Sequence, residues 1–224
     1  MNLIEYPDRD TLMRKTAQAI ADDLTIALEQ RDEVVLAVPG GTTPGPVFDI
    51  LSATTLDWAR VHVILTDERW VPESDAESNA ALLRKRLLIG QAAAAKFTPY
   101  FTEGTDIASA AQNLSAQLEP ILPVDVLLLG MGADMHTASL FPHAEGLQAA
   151  LAEAAPMLLP VTVEGQKSMR FSLTAPVLRN AAKTHLLITG SDKRAALSRA
   201  ASLPPEQAPV QIVLPNANVH WSAS

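Results

Sequence analysis

Asp134 and His136 stand two residues apart in the stretch GMGADMHTASLFP, residues 130–142. An acid beside an imidazole is a candidate for proton transfer, because histidine titrates nearest neutral pH and can take and return a proton. The same pair can equally do no more than cap and hydrogen-bond a turn. A second stretch, PGGTTPGP at residues 39–46, follows the apolar run VVLAV and precedes VFDIL. Strand, glycine-rich turn and helix start form an arrangement that binds phosphate through free backbone N–H groups and the helix N-terminus. Gly40, Gly41 and Thr42 are the candidate ligands there. The stretch matches neither GxGxxG nor GxxxxGK[ST], so no nucleotide fingerprint is present, and a plain turn with glycines at positive φ is the other reading.

Three further residues carry charge where charge needs a reason. Asp67 and Arg69 lie in DERW, just past the alternating run VHVIL, residues 61–65; the cluster is either part of a site or a surface turn. Arg170 sits in RFSLT, which reads as a strand. A guanidinium there is costly to bury unpaired, so it meets a protein carboxylate or a ligand anion. Lys193 follows the glycine of ITGSDK and falls in the first turn of a helix, where its charge opposes the macrodipole. It is either solvated or has an anion to serve.

The elements that must position these residues alternate along the chain. The segment after Asp8 shows Leu12, Ile20, Leu24 and Leu28 at helical spacing and should end near Arg31. Short apolar runs at 34–38, 124–130 and 185–189 read as strands buried on both faces. A helix is expected after residue 74, with Ser74 as a possible cap and Arg84, Lys85 and Arg86 in its last turn. Residues 97–101 read as a short edge strand because of Pro99, and 105–119 as a helix. A helix is expected over 144–155, then a strand pair in MLLPVTV and SMRFSLT turning at Gly165. Thr174 and Ser191 are the expected caps of the next two helices. The last strand is expected at 210–214, leaving His220 and Trp221 as packing or surface residues.

This order predicts a mainly parallel sheet with helices on both faces, in three layers, with the paired strands near 157–174 at or beyond the sheet edge. One domain over residues 1–224 is expected. In such folds ligands bind outside the carboxyl ends of the strands, where the candidate groups other than Arg170 fall.

Composition narrows the function. The net charge of −8 argues against nucleic acid or an anionic membrane as partner. The absence of cysteine removes disulfides and thiolate chemistry. No signal peptide or membrane-length apolar run is apparent, so a cytoplasmic protein is expected. No cluster has metal-ligand spacing.

The blocks PGGTTP, TDERWVP with the following SNA, GMGADMHTASLFP, RFSLTAPVLRNA and GSDK occur in the order seen in 6-phosphogluconolactonases. The chain resembles that family from about Val34 onward, most specifically in the GMGADMHTASLFP block. The resemblance implies a Rossmann-like, glucosamine-6-phosphate deaminase-like α/β/α fold. It also implies hydrolysis of 6-phospho-D-glucono-1,5-lactone to 6-phospho-D-gluconate, the second step of the oxidative pentose phosphate pathway. A glucosamine-6-phosphate deaminase or isomerase, or a non-catalytic sugar-phosphate-binding protein, is the alternative. By the same resemblance His136 is the general base, oriented by Asp134. Gly40, Gly41, Thr42, Arg170 and Lys193 hold the substrate phosphate. Arg69 binds substrate or stabilises the oxyanion, and Asp67 aligns with the deaminase's proton-abstracting aspartate. No cofactor is implied, and the expected partner is a small sugar phosphate, with the chain a monomer or weak homodimer. One departure stands out: the family usually has glycine where this chain has Met135. If that glycine serves a positive φ, methionine is strained by about 1–2 kcal/mol; if it leaves room for substrate, methionine narrows the pocket.

Overall fold

Short, wholly apolar runs form the centre of the molecule. The computed structural model describes residues 1–224. In chain order the elements are β1 (Asn2–Glu5), α1 (Arg9–Gln30), β2 (Val34–Val38), α2 (Gly45–Ala53), β3 (Val61–Leu65), β4 (Asp67–Arg69), α3 (Asn79–Arg86) and β5 (Lys96–Phe97). They continue with α4 (Ile107–Leu118), β6 (Val126–Gly130), α5 (Leu147–Leu151), β7 (Leu158–Val161), β8 (Arg170–Leu173), α6 (Ala175–Arg179), β9 (Lys183–Thr189), α7 (Ser191–Ala200) and β10 (Ala217–Ser222).

Seven strands pair in the order β1-β10-β9-β6-β2-β3-β5, and every pairing among them is parallel. Every residue of β2 is buried, as expected of a strand covered by helices on both faces. The chain is thus a Rossmann-like three-layer α/β/α protein. After β2 it moves to β3 on one side; after β6 it moves to β9 on the other. The adjacent carboxyl ends of β2 and β6 therefore flank the point where strand order reverses, which opens a crevice.

A second sheet, β4-β8-β7, is antiparallel. It holds the expected strand pair and adds β4, formed by the polar cluster DER. In β4 the alternation sends Glu68 to one face and Asp67 with Arg69 to the other. One hydrophobic cluster of 57 buried residues draws side chains from both sheets, including Leu128 of β6 and Phe171 of β8.

Several local expectations need correction. The apolar run 210–214 is not a strand: flanked by Pro209 and Pro215, it closes into 3₁₀ turns, Pro209–Ile212 and Leu214–Asn216. The last strand is β10, which seats His220 and Trp221 in the sheet between β1 and β9. β1, unforeseen, becomes the sheet edge. Ser78, not Ser74, caps α3, accepting from Ala81 N–H at 3.2 Å. Gly190 rather than Ser191 occupies the cap position of α7, and Thr174 caps α6 by position without a side-chain bond to it. Asp8 does cap α1, taking the Thr11 N–H at 2.6 Å. The edge strand near 97 is only Lys96–Phe97, and the helix expected over 144–155 shortens to Leu147–Leu151.

Candidate active site

The crevice between β2 and β6 collects the candidate residues from five parts of the chain. Its walls are the turn 39–44 after β2, Asp67 and Arg69 of β4, Asn79 of α3, residues 129–132 with His136 after β6, Arg170 of β8, and Lys193 of α7. Every candidate named from the sequence lines it except Asp134, which stands behind His136.

The acid–imidazole pair is made. Asp134 Oδ1 lies 2.6 Å from His136 Nδ1 and also accepts the His136 backbone N–H at 3.3 Å. With Nδ1–H donating to the carboxylate, the neutral ring leaves Nε2 as a free acceptor. The ring stacks on Phe141 at 3.9 Å between centroids. The loop closes tightly around Gly132, whose N–H donates to His136 O at 3.0 Å. A Cβ on Gly132 would collide with the Asp134 carboxylate and the His136 ring, so this glycine is required by space.

Met135 has φ 69°, in the left-handed region that favours glycine. Its side chain packs against the hydrophobic core and is not part of the crevice wall. Of the two consequences foreseen for this position, backbone strain is the one that applies; the pocket is not narrowed.

On the opposite wall, β4 and β8 pair with Arg69 directly facing Arg170 and Asp67 facing Ser172. Arg170 Nη1 is 3.9 Å from Asp67 Oδ2 and 3.4 Å from Ser139 Oγ. Its Nε is buried without a partner, as is the Nε of Arg69. Burial, and then the neighbouring Arg69 charge, pull the Arg170 pKa down, while Asp67 holds it up. Asp67 is itself occupied: Oδ2 accepts the Ser139 hydroxyl at 2.6 Å and Oδ1 that of Thr66 at 3.1 Å. Arg170 thus meets a carboxylate and still keeps a donor unused.

Lys193 lies in the first turn of α7 and makes no hydrogen bond or ion pair within the chain, while facing the crevice. Across from it Gly41 has φ 84°, which turns the 39–44 segment, and Gly40 presses so closely on the Asn79 amide that no side chain fits there. The geometry supplies backbone N–H groups, a lysine and two guanidinium donors that could serve an anion, with the Asp134-held imidazole beside them. No group of three or more His, Asp or Glu is placed to hold a metal ion.

Sequence reading missed Glu68, Asn79 and Ser139. Ser139 is wholly buried and bridges Asp67 to Arg170. Glu68, whose burial raises its pKa, accepts the N–H groups of Arg69, Asn79 and Ala80, each at 2.8 Å. The available signal was the pair Ser78-Asn79 at a helix start opposite a glycine turn.

Fold and crevice together define a class: a Rossmann-like α/β protein with cationic side chains and a glycine turn gathered at the carboxyl edge of its sheet and an acid–imidazole pair on the wall. Residues 7–221 match the family model described as glucosamine-6-phosphate isomerases/6-phosphogluconolactonase, and the chain belongs to that family. It is 42% identical over 223 residues to a 6-phosphogluconolactonase of Mesorhizobium japonicum, covering 97% of this chain and 93% of that one. To a 6-phosphogluconolactonase of Pseudomonas aeruginosa it is 39% identical, covering 93% and 89%. The crystal structure of a 6-phosphogluconolactonase from Shewanella baltica matches with a TM-score of 0.95 at 30% identity, covering 100% of this chain and 98% of that one. No helix is long and apolar enough to cross a membrane.

Proposed function

We propose that this chain hydrolyses 6-phospho-D-glucono-1,5-lactone to 6-phospho-D-gluconate, working as one domain over residues 1–224. The observation that carries the reading is a single crevice holding the His136–Asp134 pair beside unpaired cationic donors. The phosphate rests on the Gly40–Gly41–Thr42 turn, with Lys193 and Arg170 supplying charge. His136 Nε2 takes a proton from water as its oxygen bonds to C1, and Asp134 stabilises the imidazolium that forms. Arg69 faces the C1 oxygen, where negative charge develops. As that tetrahedral oxyanion collapses, the bond from C1 to the ring oxygen breaks. The imidazolium returns its proton to the departing oxygen, and the new acid ionises.

Asp67 argues against the deaminase alternative. Both its oxygens accept hydroxyl hydrogen bonds and Arg170 lies 3.9 Å away, so it serves as a structural anion rather than a free base for C–H abstraction. The decisive assay offers purified protein the phosphorylated lactone and glucosamine 6-phosphate in parallel. Lactone opening well above the spontaneous rate, with no ammonia released from the amine, is expected. The reverse result, or binding of 6-phosphogluconate with no turnover, would displace this reading.

A further inference from the structure

Asn79 is 1% exposed and stands where three parts of the crevice meet. Its Oδ1 accepts from Arg69 Nη1 at 2.6 Å, and its Nδ2 donates to the Asp67 main-chain oxygen at 2.8 Å. These partners fix the amide's orientation, since a guanidinium only donates and a carbonyl only accepts. The amide also fills the space beside Gly40 that any side chain there would need. The helix start does not depend on this amide. The Asn79 and Ala80 backbone N–H groups are held by Glu68, and the Ser78 hydroxyl lies 3.3 Å from the same carboxylate.

Arg69 is gripped on one side only. Its Nη1 donates to Asn79 Oδ1 and to Glu77 O at 2.9 Å, which uses both hydrogens of that nitrogen. Nε is buried without a partner, and no hydrogen bond within the chain engages Nη2. Nη2, unlike Nε, is not buried, and it is the guanidinium donor left for an oxyanion or carboxylate in the crevice. The chemistry of the gripping residue matters as much as its shape. A carboxylate in its place would hold the fork equally well and cancel its charge; a neutral amide leaves the whole charge for the ligand. The carboxylates nearby are engaged elsewhere, Glu68 by main-chain N–H groups, Asp67 by hydroxyls and Glu77 by the Ser168 hydroxyl.

We propose that Asn79 is a positioning residue that orients Arg69, without neutralising it, so that its open Nη2 meets the oxygen on C1 of the substrate. This rests on the lactonase reading, in which that oxygen gains charge during attack and becomes part of the product carboxylate.

The test is a double-mutant cycle of Asn79→Ala and Arg69→Ala, read in kcat for the phosphorylated lactone and in Kd for 6-phosphogluconate. Arg69→Ala should lower kcat about 10²–10³-fold, as loss of an oxyanion donor does. Asn79→Ala should lower it about 10–100-fold and weaken product binding about tenfold. In the Arg69→Ala background the Asn79 change should add less than about threefold to either, since residues acting as a unit are not additive. Damage that multiplies in the double variant would make Asn79 merely structural and overturn the proposal. Asn79→Asp keeps the shape and the acceptor, so it reports even where the alanine variant does not fold. It should lose turnover while Arg69 stays held, and wild-type turnover there would overturn the proposal. If wild type binds 6-phosphogluconate without opening the lactone, the functional reading fails and the cycle in Kd still decides on Asn79. If it does neither, both fall.

Discussion

Arg69 and Arg170 face each other as direct register partners across β4 and β8. Like charges so placed destabilise an antiparallel pair by about 0.2–1 kcal/mol, and each guanidinium also keeps a buried Nε without a partner. An anion in the crevice relieves the like-charge penalty, so ligand binding should show as stability. At 100 times its Kd, 6-phosphogluconate should stabilise the fold by about 2.7 kcal/mol, raising Tm by about 5–10 °C. Arg170→Gln should lose more than half of that shift at the same ligand concentration, measured by differential scanning fluorimetry. Equal shifts in both proteins would remove Arg170 from the binding of the ligand.

The 2.6 Å contact between Asp134 and His136 predicts separable effects on catalysis. His136→Ala should reduce kcat about 10²–10⁴-fold, the range of a general acid–base group, with a smaller change in KM. Asp134→Asn keeps the shape but no longer selects the tautomer with Nε2 free, and should cost about 10²-fold or more in kcat. Steady-state kinetics decides; near-normal turnover of the histidine variant would take His136 out of the mechanism.

Met135 makes a backbone prediction. At φ 69° a methionine carries about 1–2 kcal/mol of strain, and its side chain recovers part of this by packing on the core. A β-branched residue suffers more there. Urea unfolding should therefore find Met135→Val less stable by about 1–2 kcal/mol. Met135→Gly should stay within about 1 kcal/mol of wild type, because relief of strain offsets lost packing and a more flexible unfolded chain. Since Met135 does not line the crevice, kcat in the glycine variant should change less than about twofold.

What could be read in advance was what depends on local pattern. VVLAV and VLLLG announce buried parallel strands because nothing but helices can cover both their faces. Asp134, His136 and Lys193 could be singled out because each sits just past a strand or at a helix start, and Arg170 because a guanidinium in a strand needs a partner. What stayed hidden depends on pairing. ANVHWS at 217–222 looks too polar for an inner strand, yet His220 is satisfied there by His185 at 2.9 Å and Tyr6 at 2.9 Å. VQIVL looks more like a strand, but the prolines beside it and the packing of the last turn fold it otherwise. Asn79 acquires its part only once β4 lies against α3, a contact no periodicity announces.

The buried histidines give the fold a pH dependence. Tyr6 O–H, His220 and His185 form a one-way hydrogen-bonded chain ending on Asp23 Oδ2, 3.0 Å from His185 Nε2. Burial, and then the neighbouring His185, push the His220 pKa down to about 3, against the smaller pull of Asp23. An unfolded histidine titrates near about 6.5. Between these values the unfolded chain binds the extra proton, so this contribution to stability is whole above about pH 6.5 and is lost as pH falls toward 3. The slope is about 1.4 kcal/mol per pH unit at most, giving a loss of about 2 kcal/mol at pH 5. His62, whose pKa burial also lowers, adds to it with the same sign. Urea unfolding at pH 7 and pH 5 should show the loss, and His220→Gln should flatten it. An unchanged slope in that variant would place the sensitivity elsewhere.

Trp221 ties the last strand to the turn that carries Lys193. Its indole N–H donates to Gly190 O at 2.9 Å, and the Gly190 N–H donates to Ser222 O at 2.9 Å. Gly190 has φ 90° and begins the turn that delivers Lys193, so β10 holds the lysine's support from two sides. The ring also lies beneath the Arg194 guanidinium at 5.7 Å. Trp221→Phe keeps an aromatic ring and loses the N–H together with part of the indole's bulk. A hydrogen bond of this kind contributes about 0.5–1.5 kcal/mol, enough to let the turn drift. If Lys193 binds phosphate and His136 does the chemistry, that drift belongs in binding: KM for the phosphorylated lactone should rise about three- to tenfold, with kcat nearly unchanged. The phosphate-free lactone should be turned over as by wild type. A fall in kcat on both substrates would mean that the turn supports the reacting end of the crevice and that Lys193 is not chiefly a phosphate ligand.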